Sequence, residues 1–170
     1  MGNRKISQLK SSETQTAERA YRYALRLLAG RDYASSKLRG KLAARDINDQ
    51  DVEATILRLQ GEGWLDDRRY AERFVESALS SGRYYGPRLR MEMRRRGVPA
   101  ELVDEILKRV HEEHDETDEL RLIIDRRYPG FVFSSAGDRE KRRVISWLQR
   151  RGFGISPVMQ ALRGRVNSSV

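Results

Sequence analysis

The sequence predicts an all-α protein made of three tandem three-helix modules in an elongated, curved arrangement, on three observations. Apolar residues recur every three or four positions, as at Tyr23, Leu27 and Leu28, at Leu38 and Leu42, and at Phe74 and Ala78, which is the period of a helix. No convincing strand alternation of four or more residues is present. The chain also repeats itself. A slide of 51 residues places Ala20, Tyr23, Ala24, Leu28, Tyr33, Leu38, Leu42, Arg45, Ile47 and Val52 on Ala71, Phe74, Val75, Leu79, Tyr84, Leu89, Met93, Arg96, Val98 and Val103 without a gap. A further slide of 55 carries Leu89, Met93, Arg96, Gly97, Val98, Val103 and Leu107 onto Val144, Leu148, Arg151, Gly152, Phe153, Val158 and Leu162. Self-similarity at a fixed period marks a repeated structural unit.

Each element follows from local chemistry. Residues 1–13 are polar and aperiodic and read as a flexible arm, with a tail over 165–170. Module 1, residues 14–62, takes helices from Ala17 to Leu28, Ser35 to Ala44 and Asp49 to Gln60; Thr16, Ser35 and Asn48 stand as N-caps, and Gly30 and Gly61 as stops. In module 2, residues 63–114, Asp66 caps a helix reaching Leu79, Pro87 sits in the first turn of the next, and Pro99 opens the third. Module 3, residues 115–164, runs Thr117 to Arg127, Asp138 to Arg150 and Ser156 to Leu162; the stretch around Leu120, Ile123 and Ile124 aligns only after an insertion near Pro129, Gly130 and Phe131. Such helices, about 15–18 Å long, bury little singly and are stabilised by packing in threes.

Charge limits the function classes. The chain has 34 Lys and Arg against 25 Asp and Glu in 170 residues, 35% charged, for a net charge of +9. Residues 1–100 carry +8, 101–119 carry −7 and 120–170 carry +8, so two basic blocks flank an acidic hinge. Arg outnumbers Lys by 28 to 6, which suits bidentate contact with carboxylate or phosphate. The absence of Cys rules out disulfides, thiolate metal sites and cysteine nucleophiles. No apolar run long enough to span a bilayer and no apolar leader segment is present, so the expected address is cytoplasmic, with no membrane partner.

Catalytic patterns are only approached. His111, Glu112, Glu113 and His114 miss the zinc-protease spacing by one residue, because position 115 is Asp. Asp66 and Asp67 are adjacent carboxylates, but they stand where a cap and a first-turn acid belong. Phosphate-binding loops, nucleophile elbows and dinucleotide glycine patterns are missing. The reading is a non-enzyme with no metal and no cofactor.

Two basic helices break a local rule. After Pro87, Leu89 and Met93 form the core stripe while Arg90 and Arg94 stand four apart with Arg95 beside them, and like charges at that spacing cost a few tenths of a kcal/mol. The helix from Asp138 carries Arg139, Lys141, Arg142, Arg143, Arg150 and Arg151 against one interior acid, Glu140. A surface that tolerates such repulsion fits a negatively charged partner. Tyr84 and Tyr85, in the loop before Gly86, are placed either to stack on a base or to cover a helix end; Trp147 stands where the other modules have Lys41 and Glu92. The alternative to a protein partner is direct DNA binding through helix-turn-helix-like modules. The acidic hinge and the lack of a helix combining Arg with Asn or Gln speak against it.

The run Gly63, Trp64, Leu65, Asp66, Asp67, Arg68, Arg69, Tyr70, Ala71, then Gly86, Pro87, Arg88, Leu89 and Arg96, Gly97, Val98, resembles the signature of the RecX family, bacterial regulators of the RecA recombinase. Ser36, Lys37, Leu38 and Lys41, Leu42 of the first module are similar to that family too, and the likeness spans residues 17–163. It implies a non-enzymatic monomer of three helical modules that lodges in the groove of the RecA–DNA filament. Family members generally curb strand exchange, ATP hydrolysis and repressor cleavage, and some act otherwise on the filament; the partners expected for this chain are the RecA filament and DNA, the latter touched weakly or through the filament. By position the family motif falls on Trp64, Leu65, Asp66, Asp67, Arg68, Tyr70, Gly86 and Pro87. The charge argument nominates Arg88, Arg90, Arg94, Arg95, Arg139, Lys141, Arg142 and Arg143 as partner- or DNA-binding.

Overall fold

A computed structural model describes the backbone of residues 2–164 and the side chains from residue 16 onward; the tail expected over 165–170 lies outside the described residues. The elements are α1 (Gly2–Gly30), α2 (Ser35–Ala43), α3 (Asp49–Gly61), α4 (Asp67–Ser80), α5 (Gly86–Arg95), α6 (Ala100–Glu113), α7 (Glu116–Arg127), α8 (Asp138–Gln149) and α9 (Ile155–Arg163), with no strand among the described residues. Helix α1 starts at Gly2, so the backbone of the expected arm is helical and Thr16 lies inside a helix instead of capping one. No Pro interrupts residues 3–16, and Arg4, Lys5, Leu9, Lys10 and Glu13 are good helix formers.

The repeat is also a repeat of burial. Ala20, Leu38, Leu42 and Val52, their counterparts Ala71, Leu89, Met93 and Val103, and Val144, Leu148, Val158 and Leu162 are all buried. Within the first group α3 packs on α1 and α2, and within the last group α9 packs on α7 and α8. Contacts divide the chain into two compact units, residues 1–71 with 95–99, and residues 72–94 with 100–170. The units do not follow the repeat boundaries. In the first, Leu65 joins the core of α1 to α3, and the Gly97 carbonyl accepts from the Ser36 hydroxyl at 2.8 Å. In the second, Tyr85 joins the core of α7 to α9.

Capping explains several boundaries. Asn48 accepts from the Asp51 N–H (2.8 Å) at the start of α3, and Asp115 from Thr117 and Asp118 at the start of α7. Ser35 is not the cap of α2. Ala34 holds that position, and the Ser35 N–H donates instead to Asp67 at 2.6 Å.

Each second helix is followed by a left-handed residue: Asp46 (φ 55°), Gly97 (φ 86°) and Gly152 (φ 104°). Beside Gly152 the Tyr85 N–H donates to the Arg151 carbonyl at 2.8 Å, and a Cβ on Gly152 would overlap the Tyr85 carbonyl oxygen. Gly152→Ala is therefore expected to destabilise the protein by at least about 2 kcal/mol, through strain and overlap with backbone. Gly40→Ala, in the open interior of α2, is expected to stabilise it by about 0.5–1 kcal/mol. Urea denaturation of the two variants checks both signs.

Candidate cationic surfaces

In the first unit, α1 carries Arg19, Arg22 and Arg26 at helical spacing, and Arg45 approaches from the end of α2. The Arg45 and Arg26 guanidinium carbons lie 4.4 and 5.9 Å from the Tyr23 ring centre, a favourable cation–π arrangement. The cleft that these four arginines line holds about 470 Å³. All four are exposed, and Arg22 is paired with Glu18 at 3.2 Å. Charge reasoning on α5 and α8 passed over this group, although the spacing of residues 19, 22 and 26 was the available signal.

In the second unit the nominated arginines fall into two sets. Arg88 is half-buried, paired at 3.0 Å with Glu92, which is only 3% exposed. Arg90 pairs with Asp104 of α6. The repulsion inferred between Arg90 and Arg94 is thus relieved by a carboxylate more distant in sequence than one helical turn. Arg95 is exposed and already engaged in a contact of its own. Arg94 is exposed on α5, and Arg139 and Arg142 are exposed on α8, with no ion pair for these three among the described residues. Arg143 stands 3.7 Å from Glu140, and Lys141 lies 5.2 Å from the centre of the Phe133 ring. Arg151 is packed 3.3 Å from the centre of the Trp147 ring, and burial lowers its pKa from the ordinary value.

The family-motif residues serve mainly in structure. Asp66 caps α4, accepting from the Arg69 N–H at 2.9 Å, while Asp67 reaches back to α2. Leu65 is buried and Trp64 is 58% exposed. Tyr70 is half-buried, lining with Trp64, Tyr33 and Arg69 a shallow cleft, and Arg68 is exposed. Gly86, with φ 44°, begins α5, and Pro87 follows it. Tyr85 is unavailable for stacking on a base, since its ring lies on that of Phe153 with centres 4.6 Å apart. Tyr84 is half-buried and packs against Phe74 at 6.1 Å.

Among the described residues no group of three His, Cys, Asp or Glu side chains is placed to hold a metal ion, and no helix is long and apolar enough to cross a membrane. His111 is exposed, and His114 Nδ1 lies 3.2 Å from Glu119.

Together these features define a tandem three-helix repeat protein that presents arginine outward from separate helices. Comparison narrows the class. Family profiles described as the first and second three-helix domains of RecX match residues 20–59 and 66–107. A protein of Trichlorobacter lovleyi named regulatory protein RecX is 44% identical over 133 residues, covering 78% of this chain and 86% of its own. One of Thermus thermophilus with the same name is 40% identical over 145 residues, covering 85% and 90%. The crystal structure of RecX from Lactobacillus salivarius superposes with a TM-score of 0.72 at 15% identity, covering 88% of this chain and 96% of that one. The chain belongs to the RecX family.

Two measurements test the site. Asp67→Ala is expected to cost about 1 kcal/mol by leaving the Ser35 N–H at the start of α2 without its acceptor, read by urea denaturation. Burial, and then the charges of Glu116, Glu119 and Asp115, push the Tyr85 hydroxyl up to about 12 from 10.0. The folded state therefore holds this proton where the unfolded chain releases it. Stability from this group is complete below pH 10 and is lost as pH rises toward 12. Titration of tyrosine absorbance is expected to show a late step that Tyr85→Phe removes.

Proposed function

We propose that the chain regulates the RecA recombinase, mostly as an inhibitor. In this reading it binds in the groove of the RecA–DNA filament and lowers ATP hydrolysis, strand exchange and repressor co-cleavage. The observation that carries the reading is the outward set of Arg94, Arg139 and Arg142, exposed and without ion pairs among the described residues, in a chain of the RecX family. Guanidinium groups held this way lose little by meeting carboxylate or phosphate, since no internal pair has to break. The arginine cleft around Tyr23 supports the same kind of contact from the first unit. Activity by occupancy fits relatives named regulatory proteins.

Added at less than one copy per RecA monomer, the chain is expected to lower DNA-dependent ATP hydrolysis; no effect at excess chain across a range of salt contradicts the proposal. Joint reversal of Arg94, Arg139 and Arg142 to Glu is expected to raise the half-inhibiting concentration about tenfold or more, with helical circular dichroism unchanged. Arg90 is left intact because its reversal would also break the pair with Asp104. Band shifts with DNA alone are expected to be weak and salt-sensitive; tight, sequence-selective binding without RecA would favour a direct DNA reader instead.

A further inference from the structure

The groove beside the start of α5 has a filled copy elsewhere in the chain. In the first unit the segment after α3 folds back on its own repeat. Leu65 is 2% exposed and shares a core with Leu38, Ile56 and Leu59, its N–H donating to the Leu59 carbonyl at 3.1 Å. Two residues on, Asp67 accepts from the Ser35 N–H. The 51-residue repeat carries Leu38, Ile56 and Leu59 onto Leu89, Leu107 and Val110, and Ser35 onto Gly86. In the second unit these residues line a groove of about 290 Å³, with Arg90 and His111 at its side.

The connection that would fill it is too short. Residues 62–66 separate α3 from α4, whereas only His114 and Asp115 separate α6 from α7. His114 is turned to Glu119 and Asp115 caps α7, so no apolar side chain takes the place of Leu65. Glu116 is the first residue of α7 as Asp67 is of α4. Its charge is felt at Tyr85, yet among the described residues it makes no hydrogen bond to the Gly86 N–H.

We infer that this groove docks an extended segment of a partner protein bearing a leucine-type side chain followed two residues later by a carboxylate, the pattern of Leu65 and Asp67. Leu107 and Val110 are only half-buried and offer the apolar floor. The Gly86 N–H opens a ten-residue helix whose first turn carries partial positive charge. Arg90, shared with Asp104, adds to the attraction for an acid, and His111 lines the same groove. The inference does not rest on the recombinase reading, since it names a peptide ligand and a different face of the second unit.

The test uses the full chain and a fluorescently labelled synthetic peptide copying residues 61–69, followed by fluorescence anisotropy. Saturable binding is expected, weakened about tenfold or more by Leu65→Ala within the peptide and several-fold by Asp67→Asn within it. On the protein, Val110→Glu is expected to weaken binding about tenfold, and His111→Glu, at an exposed helical position that leaves the core intact, several-fold. If Val110→Glu fails to fold, the His111→Glu result stands in its place. Absence of binding up to millimolar peptide, or binding indifferent to these changes, overturns the inference. Neither result bears on RecA inhibition, which is read separately.

Discussion

Where the second helix of each repeat ends, the backbone spends one residue in the left-handed region, at Asp46, Gly97 or Gly152. At the last two, the turn also lies against the start of the preceding repeat's second helix, through Ser36 at Gly97 and through Tyr85 and Arg88 at Gly152. Helices of nine to fourteen residues, such as α2 to α9, are not stable alone in water. Their order depends on turns that send the chain back at a fixed angle, and glycine makes such a conformation accessible without steric cost. At Gly152 backbone meets backbone so closely that any side chain would have to push the two segments apart. The same turn therefore closes one helix pair and joins it to the previous one.

Fold and core were legible in the sequence because both depend on periodicity, which a single chain displays. The match of Leu38 with Leu89 and Val144, and of Leu42 with Met93 and Leu148, foretold residues that are all buried. What periodicity could not reveal were contacts between segments far apart along the chain. Ser35 looked like a cap because serine often is one, but Asp67, 32 residues later, takes its N–H. The start of α1 was hidden for another reason: residues 1–13 lack an apolar stripe, and helical backbone without one leaves no periodic trace.

The charged surface was legible only in part, for the same reason. Spacing along one helix showed only the repulsion between Arg90 and Arg94, whereas the carboxylate that pairs with Arg90, Asp104, comes from α6. Arg88 turns inward to Glu92, which holds a buried position equivalent to Lys41 and Trp147 of the other repeats. One position thus hosts a cation, a buried acid and an aromatic ring covered by Arg151, and each repeat solves the same packing problem with different chemistry. Arg94, Arg139 and Arg142 remain outward, on helices whose other faces are fixed by Leu89, Met93, Val144 and Leu148. The cationic groups are held in place by the repeated core rather than by one another.

Hydrogen exchange at the Tyr85 amide tests this dependence most directly, because that N–H is the donor joining the α5 start to the turn at Arg151 and Gly152. If the turn is what holds the repeats in order, the amide exchanges only with global unfolding of its unit, as slowly as the core amides of α9. Exchange as fast as that of the exposed Gly130 amide, while α9 stays protected, would contradict it and leave the helices ordered by some other contact.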